Sequence, residues 1–322
     1  MQTDSIKGTS PQLSKGLIVA FWMATITSFY VYKELVAPFA FERICYELDV
    51  LNGQTVSPYL YRPLWPWLSQ SFAQFTTQWG WNAELQHKIF HGIWNTAILT
   101  WMYYGVFRFF TLWTKHSTAL VGVFVLQALV PLSISGYYME ENFFQLGGVA
   151  WMLFAFYKQR WVLLYIGMCI LSIHREQSLM IPIWITLSML HLTAQNKNWL
   201  RISGLFIIWC AIFMGLRWIR GVHYTPYSME FHLSYNLDKY HFTHYIAPLW
   251  LGQVILPLLL AATQWHKLKP PFKSWLISLI PYYFLFLVFG KWTELDKAMS
   301  GYLFMIPPAL TWIQEKRSNF RV

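Results

Sequence analysis

The chain has 322 residues, of which 56% are hydrophobic, 20% aromatic and only 12% charged. Soluble chains average roughly 25% charged residues, so this composition excludes an ordinary soluble domain and points to an all-α, polytopic membrane protein. The formal net charge of +10 would suit nucleic acid as a partner, but the placement of the charges excludes that reading. Cys45, Cys169 and Cys210 are scattered and lack any C-x-x-C spacing, which leaves neither a disulfide framework nor a zinc knuckle.

Residues 1–15 are polar, with Lys7 and Lys15 ahead of the first apolar run. That run has no A-x-A site after it and reads as an uncleaved first span. Ten spans are expected at about 16–35, 90–110, 118–136, 143–158, 161–174, 178–195, 202–218, 245–264, 274–290 and 299–314. They should be helices, because a spanning backbone must satisfy its own hydrogen bonds. Fourteen of the 24 basic residues (Lys7, Lys15, Arg108, Lys115, Lys158, Arg160, Lys197, Arg201, Lys267, Lys269, Lys273, Lys316, Arg317, Arg321) then fall on one side. Of the 14 acids, 12 fall on the other side or at the outer ends of spans; only Asp4 and Glu315 join the bases. The basic side is cytoplasmic, both termini lie there, and polar chemistry belongs to the outer face. Residues 1–322 form one membrane domain, with a cytoplasmic segment at 1–15, long outer loops at 36–89 and 219–244, and a cytoplasmic tail at 315–322.

The first outer loop is the most informative stretch. It carries Glu42, Glu47 and Asp49, a turn at Gly53, then Tyr61-Arg62-Pro63. If 42–49 is helical, Glu42, Tyr46 and Asp49 share a face. Such a cluster suits a cation, a phosphate or a proton in transfer; a solvated loop whose Arg43 and Glu47 face water is the alternative. The following PLWPWLSQSFAQFTTQWGW fits a helix lying in the membrane interface.

Further along, Glu140-Glu141-Asn142 opens the fourth span, where acids also favour a helix N-terminus. His174-Arg175-Glu176-Gln177 joins the fifth and sixth spans with almost no loop. An Arg at that depth suits bidentate phosphate binding; a snorkelling Arg175–Glu176 pair is the alternative. Glu294-x-Asp296-Lys297 precedes the last span. His87 and His91, spaced i, i+4, and His241 and His244, spaced i, i+3, could bind zinc on a helix, but no spacing fixes a third ligand.

Three of these motifs, in this order, resemble those of bacterial polytopic membrane proteins related to the GT-C glycosyltransferases. They are Glu42-Arg-Ile-Cys-Tyr46, Tyr61-Arg-Pro-Leu-Trp-Pro66 and the N-R-E-T-S-like His174-Arg-Glu-Gln-Ser178. The acidic opening of the fourth span and Glu294-Leu295 ahead of Pro307-Pro308 also fit. The resemblance implies transfer of a sugar from a polyprenyl-linked donor to an envelope glycan, lipid or protein. It makes Glu42 the base or metal ligand, with Glu47 and Asp49 as competitors, and a divalent cation a candidate cofactor. Arg62 and Arg175 would hold the donor phosphate, supported by Tyr61 and Glu176; Glu140, Glu141 and Glu294 are further site candidates. The chain departs from the pattern at Glu42 in place of Asp, His174 in place of Asn and Asp296 in place of Arg. Two other classes remain: a transporter or flippase of lipid-linked saccharide, which would need charges at mid-membrane depth and access from both sides, and a non-catalytic subunit of an envelope-polysaccharide assembly, which would not need the carboxylates.

The charge asymmetry makes a topological prediction. In a cysteine-free background, single cysteines at Gln78 and Thr225 should react with an impermeant thiol reagent in whole cells, and one at Lys269 should not. Labelling at Lys269 alone would invert the orientation.

Overall fold

The structure is a computed structural model that describes residues 11–55, 59–133, 140–191, 198–221, 238, 242–243, 247–289 and 295–319. Those residues are overwhelmingly helical, and no strand occurs among them. The helices are α1 (Pro11–Val31, continued by a π turn Tyr32–Val36), α2 (Ala40–Asn52), α3 (Leu64–Thr76), α4 (Ala83–Phe110) and α5 (His116–Leu132). They continue with α6 (Glu140–Tyr157), α7 (Trp161–His174), α8 (Met180–Met189) and α9 (Trp199–Arg220). The last four are α10 (Ala247–Trp250), α11 (Leu256–Ala262), α12 (Pro270–Phe289) and α13 (Tyr302–Asn319).

Each of the ten apolar blocks therefore carries helix. The stretches Lys15–Val36 and Trp199–Arg220 are long and apolar enough to cross a membrane; His116–Leu132, Trp161–His174 and Ala247–Ala262 are apolar but shorter.

α4 is the axis of the fold. Its 28 residues extend about 42 Å, starting at Asn82, whose side chain accepts the Leu85 N–H at 2.8 Å. α1 lies along one side of α4 and α6 along the other. Leu99, Met102, Tyr103 and Val106 are wholly buried between them. The α4–α6 approach depends on Gly147: a Cβ there would lie 2.9 Å from Met102 Cα, a backbone atom that cannot yield. α7 packs on α6 and on α9, α8 on α12, and α13 on α5 and α11.

Two short helices prepare the site. α2 ends in a Schellman turn: Gly53 adopts φ 74° and Gln54 N–H returns to Asp49 O at 2.8 Å. Arg220 Nη1 donates to Val50 O and Leu51 O at 3.1 and 2.9 Å, so the end of α9 caps α2. α3 covers the expected interfacial stretch. It buries Trp65, Pro66 and Ser69 against the bundle and leaves Trp67, Leu68 and Phe75 exposed.

Candidate functional site

α7 stops at His174 because Arg175 takes an extended conformation (φ −155°, ψ 146°) before a 3-10 turn at Glu176–Leu179. The break lies where α6 begins and near a second 3-10 turn at Tyr59–Tyr61. Three sequence motifs are thereby gathered in one place. Arg62 Nε and Nη2 donate to Glu176 Oε2 at 3.2 and 3.1 Å. Arg62 Nη1 stands 3.6 Å from Glu141 Oε2, and Arg175 Nε approaches the same oxygen at 3.8 Å. Glu141 thus lies between two guanidinium groups, all three side chains being nearly excluded from solvent.

The surroundings fix this arrangement. Arg62 lies over the Tyr59 ring, 5.2 Å from its centroid. His174 Nε2 donates to Glu141 O at 2.7 Å, tying the end of α7 to the start of α6. An Asn amide could make the same donation, so the departure from the resembled motif leaves the contact possible. Trp209 Nε1 donates to Glu176 O at 3.1 Å, and Tyr61 OH donates to Gly221 O at 3.0 Å. Arg217 lies over the Tyr61 ring, 4.3 Å from the centroid, and within electrostatic reach of Glu176.

Burial works against ionisation of both Arg62 and Glu176. For Arg62, the charges of Glu176 and Glu141 outweigh it and raise the guanidinium above its usual value. For Glu176, burial pushes the carboxyl up, but Arg62, a backbone hydrogen bond and Arg175 bring it below the usual carboxylate value. The cluster is therefore an ionised network. Among the described residues, its buried part joins Arg62 and Arg175 to Glu141 and Glu176, and the partly buried Arg217 stands at its edge.

A second buried cluster joins α2 to α4. Arg43 Nε donates to His87 Nε2 at 3.2 Å, and Arg43 Nη2 contacts His91 Nδ1 at 2.9 Å. On the other side of the rings, His91 Nε2 lies 2.9 Å from Glu47 Oε1 and His87 Nδ1 lies 3.7 Å from Glu47 Oε2. The alternative of Arg43 and Glu47 in solvent does not hold: Arg43 is buried and the Glu47 side chain nearly so. Ligand atoms of Glu47, His87 and His91 come within 4.8 Å of one another, close enough to suggest a cation. Arg43 opposes that use. Guanidinium can only donate, so each ring nitrogen facing it is an acceptor and the ring proton sits on the nitrogen facing Glu47. A histidine bound to metal instead turns its second N–H outward to an acceptor. Burial pushes the Glu47 carboxyl up, but the His91 hydrogen bond, with His87 and the Ser69 hydroxyl, holds it below its usual value.

The other expected residues are distributed differently. Glu42 and Asp49 are exposed on α2, outside both buried clusters. Glu42 stands one turn from Tyr46, whose ring meets Tyr59 edge-on at 6.0 Å. Tyr61 is buried at the arginine site. The side chain of Glu140, Glu294, and the pair His241 and His244 lie outside the described residues. Arg217 and Arg43 went unmarked as site residues in the sequence. Arg217 stacks on Phe213 of its own helix, but Tyr61, which ties it to the site, comes from a distant turn, whereas Arg43 stands four residues before Glu47 and could have been paired with it.

Among the described residues, fold and site together define a helical protein with two apolar helices long enough for a membrane and a buried arginine–carboxylate cluster at the helix ends. No protein-family model matches the chain, and no curated protein or solved structure matches it.

Two outcomes follow for stability. Glu176→Leu strands Arg62 without its main partner and should cost about 3–5 kcal/mol, whereas Glu176→Leu combined with Arg62→Met should lie much nearer the wild type; equilibrium unfolding in detergent separates the two. Glu176 and Glu47 have lowered values in the fold, so each stabilises fully above the ordinary carboxylate value of 4.5. That contribution is lost as pH falls through the folded value. The melting temperature should drop below about pH 4.5, and Glu176→Gln should flatten the drop.

Proposed function

We propose that the chain is a polytopic inner-membrane glycosyltransferase that takes a sugar from a polyprenyl-linked donor on the extracytoplasmic face. The reading places all ten helical blocks across the bilayer with both termini in the cytoplasm. Large apolar side chains on outward faces support it: Phe21, Trp22 and Phe29 on α1, and Leu200, Ile207 and Met214 on α9, are all more than half exposed. In water such faces would be costly; in lipid they are the expected surface.

The observation that carries the reaction class is the convergence of two buried guanidinium groups, Arg62 and Arg175, from separate segments at one helix break. Arg62 and Arg175 supply planar donors that suit the oxygens of a phosphate or diphosphate leaving group. A groove of about 260 Å³, lined by Trp101, Phe144, Trp151, Ile166 and Ile170, runs along α6 and α7 from Arg160 toward the cluster. Phe144 joins the two, because its ring also meets His174 edge-on at 5.0 Å. An apolar lining beside an anion site suits a prenyl chain carrying a phosphate.

Within this reading Glu42 accepts the proton of the acceptor hydroxyl. It is exposed, so an acceptor can reach it, and it is not committed to an arginine as Glu141 and Glu176 are. General-base catalysis of this kind contributes about 10²–10⁴-fold in rate.

The test is transfer by purified protein in nanodiscs supplied with polyprenyl-phosphate and polyprenyl-diphosphate sugars, read by mass spectrometry of the lipid. Arg175→Lys should weaken donor binding at normal expression, since it keeps charge but loses the planar fork. Glu42→Gln should lower turnover about 10²–10⁴-fold with donor affinity intact, and Glu42→Asp should retain part of the rate. Unchanged transfer in Glu42→Gln alongside loss in Glu141→Gln would move the base to α6. Full activity in Arg175→Ala would rule out its donor-binding role, and sugar lipid that changes leaflet without chemical change would favour the flippase reading.

A further inference from the structure

The Arg43–His87–Glu47–His91 ring is not used by the transfer proposed above, and it is a buried polar attachment of α2 to α4. Each imidazole bridges the same two charges. It accepts from Arg43 through one nitrogen and directs the other toward Glu47. Both bridges require a neutral ring. A second ring proton would set N–H against the N–H of a guanidinium that cannot turn acceptor, inside a site closed to water.

What α2 carries makes its attachment matter. Tyr46, one turn from Arg43 and next to Glu47, packs edge-on against Tyr59. The Tyr59 face in turn supports Arg62 at 5.2 Å, and Arg62 N–H closes the 3-10 turn on Tyr59 O at 3.0 Å. An unbroken line of contacts runs from the two imidazoles through α2 to the guanidinium that pairs with Glu176.

We propose that His87 and His91 are positioning residues of a proton-sensitive latch: neutral, they hold α2 on α4 and so hold Arg62 in place; protonated, they release both. The inference concerns where Arg62 sits and holds for any anion that Arg62 takes. The other groups around the ring keep one charge state between pH 5 and 8. From α2 come Arg43 and Glu47, the first always charged and the second held low. α3 contributes the uncharged Ser69 and has no ionisable residue in its sequence. From α4, Glu84 and Lys88 form their own exposed pair. The π turn after α1 brings Tyr32, beside Gly92, with Lys33 paired to Glu34 at the surface.

Hydrogen exchange of the full-length protein in nanodiscs, corrected for the intrinsic pH dependence of exchange, tests the latch. Protection of residues 43–52 and of 59–62 should fall together, by about tenfold or more, between about pH 7.5 and pH 5. His87→Gln with His91→Gln keeps one acceptor and one donor at each position but cannot take the second proton. It should hold α2 at both pH values. If the double variant does not fold, His91→Gln alone decides, and its pH response should be shallower than the wild type's. Unchanged protection in the wild type, an undiminished response in either variant, or loss confined to 43–52 with 59–62 unaltered would each overturn the proposal. So would tight zinc binding by the wild type that vanishes in Glu47→Gln, since it would make the cluster a metal site.

Discussion

A guanidinium withdrawn from water must find carboxylates, and Arg62 finds two. That requirement constrains much of the molecule's outer end. Glu176 can reach Arg62 only because α7 gives way to extended backbone at Arg175. Glu141 can reach it only because α6 begins level with that break. The His174 donation to the Glu141 carbonyl, the Trp209 donation to the Glu176 carbonyl and the Tyr61 donation to Gly221 align α6, α7 and α9 around the pair. A buried ion pair of this kind stabilises little by itself, because desolvation cancels most of the attraction. Its effect is on specificity: alternative packings of these helix ends would leave a charge stranded.

The second buried cluster follows the same logic with an insulating layer. Arg43 and Glu47 belong to one helix, four residues apart, and could have paired directly as an i, i+4 couple. The chain instead inserts two imidazoles from α4 between them. The attraction within α2 is thereby converted into adhesion between helices.

Much of the fold was legible in the sequence because apolar blocks separated by charged turns have few alternatives to helix. All ten blocks carry helix, and α3 occupies the stretch whose aromatics and polar residues alternate. The arginine cluster was partly legible. Arg62, Arg175 and Glu176 stood out because charges in tight turns between apolar blocks are rare, and the structure brings them together. Glu141 was harder to separate from an ordinary acid at a helix N-terminus, since both readings put it at the same position. The first loop was the least legible part. Period put Glu42 and Asp49 on one face with Tyr46, but the fold turns Glu47 inward and leaves Glu42 and Asp49 exposed. Which carboxylate points inward depends on the partners offered by α4, and those are forty and more residues away.

Separation along the chain has a further meaning for biogenesis. Glu176 follows Arg62 by 114 residues, and Glu141 comes well before Glu176. At about 5–20 residues per second, ribosomal synthesis leaves Arg62 waiting several seconds or longer for its main partner. During that interval its charge cannot be buried where it finally lies, so it must stay hydrated. The segment from α2 to α3 therefore cannot complete its docking as it emerges. The early helices first form a provisional arrangement, and this end of the bundle closes only after the break between α7 and α8 has been delivered.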